Sequence, residues 1–348
     1  MRISGTRRVA VTLALLLVAL LGAMWAGVAL GTVAVPWRST AGFLWAELTG
    51  GTVAARDGTL YRIVIDSRVP RVLSATLVGA ALSAVGVAVQ AMARNALADP
   101  YVLGVSSGAS VGATAVVLFG AFGVFGCYAL PAAAFLGALA ATVLVYAIAQ
   151  SSGRLSPLRL VLSGTALGYG FSAVTTVLVF LEPRGDTARS VMFWLLGSMS
   201  AATWRTTALV GIVAGGGLAA LLLCASRLNV LALGDDAATS MGLSVDRFRG
   251  ALFVLTAAVT GVVVSVCGAI GFVGLVVPHV ARLLVGGDHR RVLLVAPAIG
   301  AVFLLVADLL ARVVVPPQEL PIGAITAAVG VPLFVVLLRR KLAGAAGA

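Results

Sequence analysis

Residues 226–250 read SRLNVLALGDDAATSMGLSVDRFRG, the one extended polar interruption in the second half of the chain. They stand between two uncharged apolar runs, 206–225 and 251–267, and carry Arg227, Asp235, Asp236, Asp246, Arg247 and Arg249. That contrast decides the fold class, because flanks of this kind are membrane-crossing helices and the polar stretch is what emerges between them. The stretch itself reads as small helices. Asp235 or Asp236 is placed to cap a helix N-terminus, where unpaired N–H groups and the helix dipole favour an acid. Gly242 is placed to end that helix in a left-handed cap, and Ser244 to start the next. An ordinary solvated loop with tidy caps is one reading; a surface built to be gripped by a partner is the other.

Composition agrees with the flanks. Apolar residues make up 61% of the 348 and charged residues 10%, against roughly 25% charged in soluble domains. With a mean hydropathy of +1.11, a soluble fold would have nowhere to put this much apolar surface. A β-barrel would show alternating segments of about ten residues. The net charge of +12 does not call for nucleic acid, since arginines clustered in short loops on one side satisfy the positive-inside rule. Cys127, Cys224 and Cys267 are far apart, without metal-binding spacing, and read as small hydrophobes.

Taken in order, Arg2, Arg7 and Arg8 precede an uncharged run at 9–35. That run is too long for the roughly 7–15-residue core of a signal peptide, so it reads as a retained first span with a cytoplasmic N-terminus. A polar excursion at 36–67 follows outside, with Trp37 and Trp45 suited to the interface. Further spans fall at 68–92, 101–122, 128–149, 158–181, 206–225 and 251–267. Gly268 and Gly271 allow a tight outer turn into an eighth span ending near Gly287; the last two lie at 292–315 and 322–338. Arg94 and Asp99 mark one inner turn, Arg154 and Arg159 another, and 182–204 is an outer amphipathic segment. The expectation is an all-α polytopic membrane protein. It has ten transmembrane helices, a single membrane domain over 1–348, short cytoplasmic helices between spans six and seven, and both termini in the cytoplasm.

The chemistry is as notable for what it lacks. A phosphate-binding GxxxxGK[ST] loop requires a lysine, and the only lysine is Lys341 in the terminal tail. Any ATP must be bound by another subunit. Asp308 is the only acid well within a span, with Arg312 four residues on; a local ion pair accounts for it as well as an ion-coupled carrier would. Gly104, Ser106 and Gly108 match GxSxG, the nucleophile elbow of hydrolases, for which His279 would be the base. That motif needs a strand–turn–helix context, whereas close helix packing uses the same small residues. His279 and His289 have no partner at metal-ligand spacing. Arg68 and Arg71, which run against the positive-inside trend, read either as snorkelling side chains or as a basic mouth for carboxylates of an external partner. The fifth span concentrates Ser163, Thr165, Ser172, Thr175 and Thr176 beside Gly164, Gly168 and Gly170, which suits helix packing or a path lining.

Together these stretches resemble the FecCD-type permeases of bacterial ABC importers, which take up iron–siderophore chelates, haem and cobalamin. The likeness rests on RVPR at 68–71, GAALSAVGVAVQAMARNALADPYVLGVSSGA at 79–109, LSGTALG at 162–168, LNVLALGDDAATSMGL at 228–243, GAIGFVGLVVPHVARLLVGGDHRR at 268–291, ADLLAR at 307–312 and ELPIGAITAAVGVPLF at 319–334. It implies a bacterial inner-membrane assembly of two permease subunits, two ATPase subunits and an extracellular or periplasmic binding protein. The second permease is another copy or a relative, and an iron–siderophore is the expected cargo. ATP and magnesium would sit on the ATPase, with no cofactor or metal on this chain.

The resemblance makes 226–250 the coupling segment, with Leu231, Gly234, Asp235, Asp236, Ala237, Ala238, Met241 and Gly242 seated in a groove of the ATPase. It assigns Arg68, Arg71 and Arg312 to acidic residues of the binding protein. Ser163, Thr165, Gly168, Ser172, Thr175 and Thr176 become the translocation path at the dimer interface. Ala96 departs from the proline usual after Arg-Asn, which would loosen that turn.

Overall fold

The computed structural model describes residues 5–120, 128–150, 156–183 and 185–346, and these contain helices and turns but no strand. Cys127, Arg2 and Arg154, singled out above, lie outside them. In chain order the helices are α1 (Gly5–Ala29), α2 (Trp37–Thr49), α3 (Gly58–Arg62), α4 (Val69–Ala93), α5 (Val105–Phe119), α6 (Ala129–Gln150), α7 (Pro157–Phe180) and α8 (Gly185–Leu195). There follow α9 (Trp204–Leu223), α10 (Ala225–Ala232), α11 (Asp235–Ser240), α12 (Val245–Cys267), α13 (Val273–Val285), α14 (His289–Val313) and α15 (Ile322–Ala346). Among the described residues, seven helical stretches are long and apolar enough to cross a membrane. Shorter apolar helices, α5, α13 and the 322–336 part of α15, stand where spans three, eight and ten were expected. The chain is a multi-pass membrane protein.

The bundle is organised around α4, whose residues from Ser74 to Met92 are mostly buried. Small residues let its neighbours close in. A Cβ on Gly79 would collide with the carbonyl of Gly300 on α14, and Ser83 turns its hydroxyl back to the Gly79 carbonyl at 2.8 Å rather than across the contact. In a bilayer, where lipid is as apolar as leucine, such backbone approach is what holds helices together. Gly108 of α5 and Gly137 of α6 make the same kind of contact.

Two expected surface turns are internal. The 94–104 turn after α4 folds back into the bundle, burying Ala98, Pro100 and Leu103, and the Tyr101 hydroxyl accepts the Ile270 N–H at 3.0 Å from the turn between α12 and α13. Backbone inside a membrane protein must find partners within the protein. The two turns satisfy each other, which is why α5 and α13 are short. Ala96 does not loosen the first: the Asn95 side chain and carbonyl take the N–H groups of Leu97 and Ala98 at 2.9 and 3.1 Å. The polar excursion at 36–67 is likewise more ordered than the sequence suggested. It holds α2 and α3, and a π-helical segment, Ile63–Arg68, joins α3 to α4 without a break.

Candidate functional site

The stretch 226–250 folds as anticipated into short helices, and the caps refine the reading. Gly234, at φ +113, is the N-cap of α11, a backbone conformation that side chains disfavour. Asp235 and Asp236 therefore lie in the first turn and neither caps it. At the other end the Leu243 N–H reaches the Ala238 carbonyl at 3.0 Å and the Gly242 N–H reaches Thr239 at 2.9 Å, with Gly242 at φ +83. That pair of bonds is a Schellman motif, the left-handed ending foreseen for Gly242. Ser244 precedes α12, but its hydroxyl makes no capping bond.

The segment is clamped to the bundle. Leu228 and Leu231 are fully buried. Asn229 donates to Asp288 Oδ1 at 2.8 Å and accepts from the His289 N–H, while Arg290 donates to Ser226 at 2.7 Å. The Asn229 bond, supported by the Arg290 N–H and the Arg291 and Arg290 charges, holds the Asp288 carboxyl below its ordinary range. Asp235 Oδ1 accepts from Arg249 Nη2 at 2.8 Å and lies 3.9 Å from Arg94.

Of the coupling residues named above, Asp236, Ala237, Met241 and Gly242 are exposed and Asp235 is half-buried. Leu231, Gly234 and Ala238 are internal, where they shape the segment. Leu233, beside Gly234, is 63% exposed. Asp235, Asp236, Ser240 and Asp246, with Arg247, line an open cleft of about 650 Å³ between α11 and α12.

The three arginines assigned to an exposed mouth are buried instead. Arg68, Arg71 and Arg312 are 5%, 7% and 3% exposed. Arg71 bonds Asp308 Oδ1 at 2.9 Å and both Glu319 oxygens at 2.9 and 3.0 Å. Arg312 contacts Asp308 Oδ2 at 3.0 Å, an ionic contact not aligned as a hydrogen bond. The i, i+4 pair read from sequence is thus present, joined by a second arginine from α4. The remaining guanidinium N–H groups close α1: Arg312 donates to the carbonyls of Gly27 and Leu30, and Arg68 to those of Val28, Ala29 and Val33. The last carbonyls of a helix have no intrahelical donor, and cations at that end also suit its dipole. Those needs draw the arginines inward.

On α7 the path residues divide. Thr165, Ser172 and Thr176 are exposed and Gly168 is partly so, whereas Ser163 and Thr175 are buried. Thr165, Tyr169, Ser172 and Thr176 follow helical spacing along one uncovered face. Ser106 sits buried in the first turn of α5, a helix entered from a turn and not from a strand, so the nucleophile-elbow context is missing.

A model of the FecCD transport family matches residues 13–340. The cobalamin import system permease protein BtuC of Halobacterium salinarum is 41% identical over 320 residues, 91% of this chain and 85% of its own. The Fe(3+) dicitrate transport system permease protein FecD of Escherichia coli is 38% identical over 323 residues, 92% and 96% of the two chains. Among solved structures, an ABC transporter in an inward-facing conformation, described as of metal-chelate type, superposes with a TM-score of 0.81 at 29% identity. That superposition covers 94% of this chain and 98% of the other.

Proposed function

The chain belongs to the FecCD transport family, and from that premise we propose that it is the permease subunit of an ATP-driven importer carrying an iron–siderophore chelate into the cytoplasm. The single observation that carries the mechanism is the clamped α10–α11 pair with its exposed outer side chains. Leu233, Asp236, Ala237 and Met241 face outward from a segment fixed to α12 and α14 by Asp235–Arg249 and Asn229–Asp288. ATPase subunits gripping this pair would move it as a rigid lever, and the motion would pass into α12, α4 and α14.

The uncovered face of α7 supports a second permease copy or relative across the path. Exposed hydroxyls and a tyrosine along a spanning helix are poor lipid contacts, but they suit a weakly binding conduit. Ten spans with both termini cytoplasmic, and an extracellular binding protein delivering cargo at the end opposite α10–α11, complete the reading. Asp308 is fully buried between two arginines, an arrangement that supports a structural acid over the relay of an ion-coupled carrier.

The test is uptake by proteoliposomes holding the complete importer. Ferric siderophore should enter with ATP and binding protein, stop with vanadate, and continue when ion gradients are collapsed. Uptake of cobalamin in place of iron would keep the mechanism and change the cargo. Uptake sustained by a gradient without ATP would overturn the proposal.

A further inference from the structure

A cavity of about 560 Å³ opens beside the α10–α11 segment, between α4, α10, α13 and the start of α14. Its polar lining is Gln90, Arg94, Asn95, His279, Arg282 and His289, and among the described residues no carboxylate lines it.

Arg282 is its centre. The side chain is partly buried, and its Nη1 donates to Gln90 Oε1 at 2.5 Å. Among the described residues no carboxylate pairs with it. Gln90 is itself fixed for a local reason. Pro278 has no N–H to offer the carbonyl of Gly274 one turn earlier, and the Gln90 amide fills in, 3.4 Å from Gly274 O and 3.0 Å from Leu275 O. The guanidinium is thus aimed by a locked neutral amide and left with its charge uncompensated.

Charges withdrawn from water are ordinarily paired. The other groups present do not supply the pairing. His289 is 6% exposed; its Nδ1 meets Asn229 Oδ1 at 2.8 Å and its Nε2 has no hydrogen-bond partner. Arg94 stands at the rim, and Asp235 reaches it from outside the cavity at 3.9 Å.

The apolar surroundings narrow the choice of anion. Leu283, 64% exposed, lines the same cavity, and Leu284 beside it is 44% exposed. A charged pocket edged by uncovered leucines, at the end of a membrane helix bundle, fits an amphiphile. Basic pockets between membrane helices are where lipid head groups bind. We propose that this cavity is a binding site for the phosphate of an anionic phospholipid. Arg282 and Arg94 would grip the phosphate, and Leu283 would lie along the acyl chains. Because the site abuts α10 and the Arg94–Asp235 contact, its occupant would also brace the coupling segment. None of this depends on which cargo is carried.

The test uses the full chain, stripped of lipid in a neutral detergent. It is titrated separately with dioleoyl phosphatidylglycerol, dioleoyl phosphatidylcholine and inorganic phosphate, reading the thermal midpoint and lipid retained in native mass spectrometry. Phosphatidylglycerol should raise the midpoint and remain bound, and phosphatidylcholine should do neither. The Arg282→Gln variant should need roughly 10- to 100-fold more phosphatidylglycerol for half the effect, the range of a lost charge-assisted bond. An equal response to inorganic phosphate alone would keep the phosphate site and identify a free anion as its ligand. If Arg282→Gln does not fold, Arg94→Gln on the rim decides by the same titration. Absence of any shift, or identical titrations for wild type and variant, would overturn the proposal.

Discussion

Arg249 on α12 reaches Asp235 at the start of α11 at 2.8 Å, and it does so from a position only 1% exposed. The contact fastens the short α11 to the spanning α12 through a bond that points out of the core. Asp235, by contrast, is 42% exposed in its side chain and shares its carboxylate with Arg94.

Replacing Asp235 with Ala should loosen this lever. The expected loss of stability is about 1–3 kcal/mol, toward the lower end because the carboxylate is partly screened by solvent. ATP hydrolysis by the assembled importer should persist while transport per ATP falls about two- to thirtyfold, the span of a 0.5–2 kcal/mol change in coupling. Parallel ATPase and uptake assays read both. Transport that tracks hydrolysis in the variant would remove Asp235 from the coupling path.

The exposed and buried faces of α11 should respond differently. Met241→Glu changes the exposed residue that ends α11, 62% exposed, and should leave stability within the range of ordinary surface changes, about ±0.5 kcal/mol, while weakening ATPase association. Ala238→Leu inserts bulk at a fully buried site and should cost about 1–3 kcal/mol. Co-purification of the ATPase together with thermal unfolding separates the two effects.

Reversing Arg71 to Glu would place a third carboxylate against Asp308 and Glu319 and strip both of a partner. Removing one member of a buried pair costs about 3–5 kcal/mol, so the variant should fail to accumulate or should unfold at much lower temperature. A variant of normal stability that lost only its affinity for the binding protein would support the docking role the family resemblance gives these arginines.

Single cysteines introduced along α7 should sort by face. Positions 165, 172 and 176 should react with a small maleimide in the isolated chain and become protected, or cross-link, in the complete importer. Positions 163 and 175 should stay unreactive in both. Uniform labelling of all five would mean that α7 does not pack as described.

Much of this was legible from the chain itself. The apolar runs alone require helices that cross a membrane, and the 226–250 interruption with its Gly242 stop gives the short helices between two of them. The Asp308–Arg312 pair followed from spacing on one helix. Each of these depends on neighbours in sequence or on bulk hydropathy, which a linear reading contains. Other features did not, because they depend on which distant groups lack a partner. Arg68 and Arg312 turn inward because the end of α1 leaves carbonyls without donors. Gln90 fixes Arg282 because Pro278, on another helix, leaves the Gly274 carbonyl unserved. The 94–104 turn is internal because a second buried turn, more than 160 residues later, needs its tyrosine oxygen. Hydropathy determined that this protein lies in the membrane; where its buried charges and turns went was decided by the satisfaction of polar groups in three dimensions.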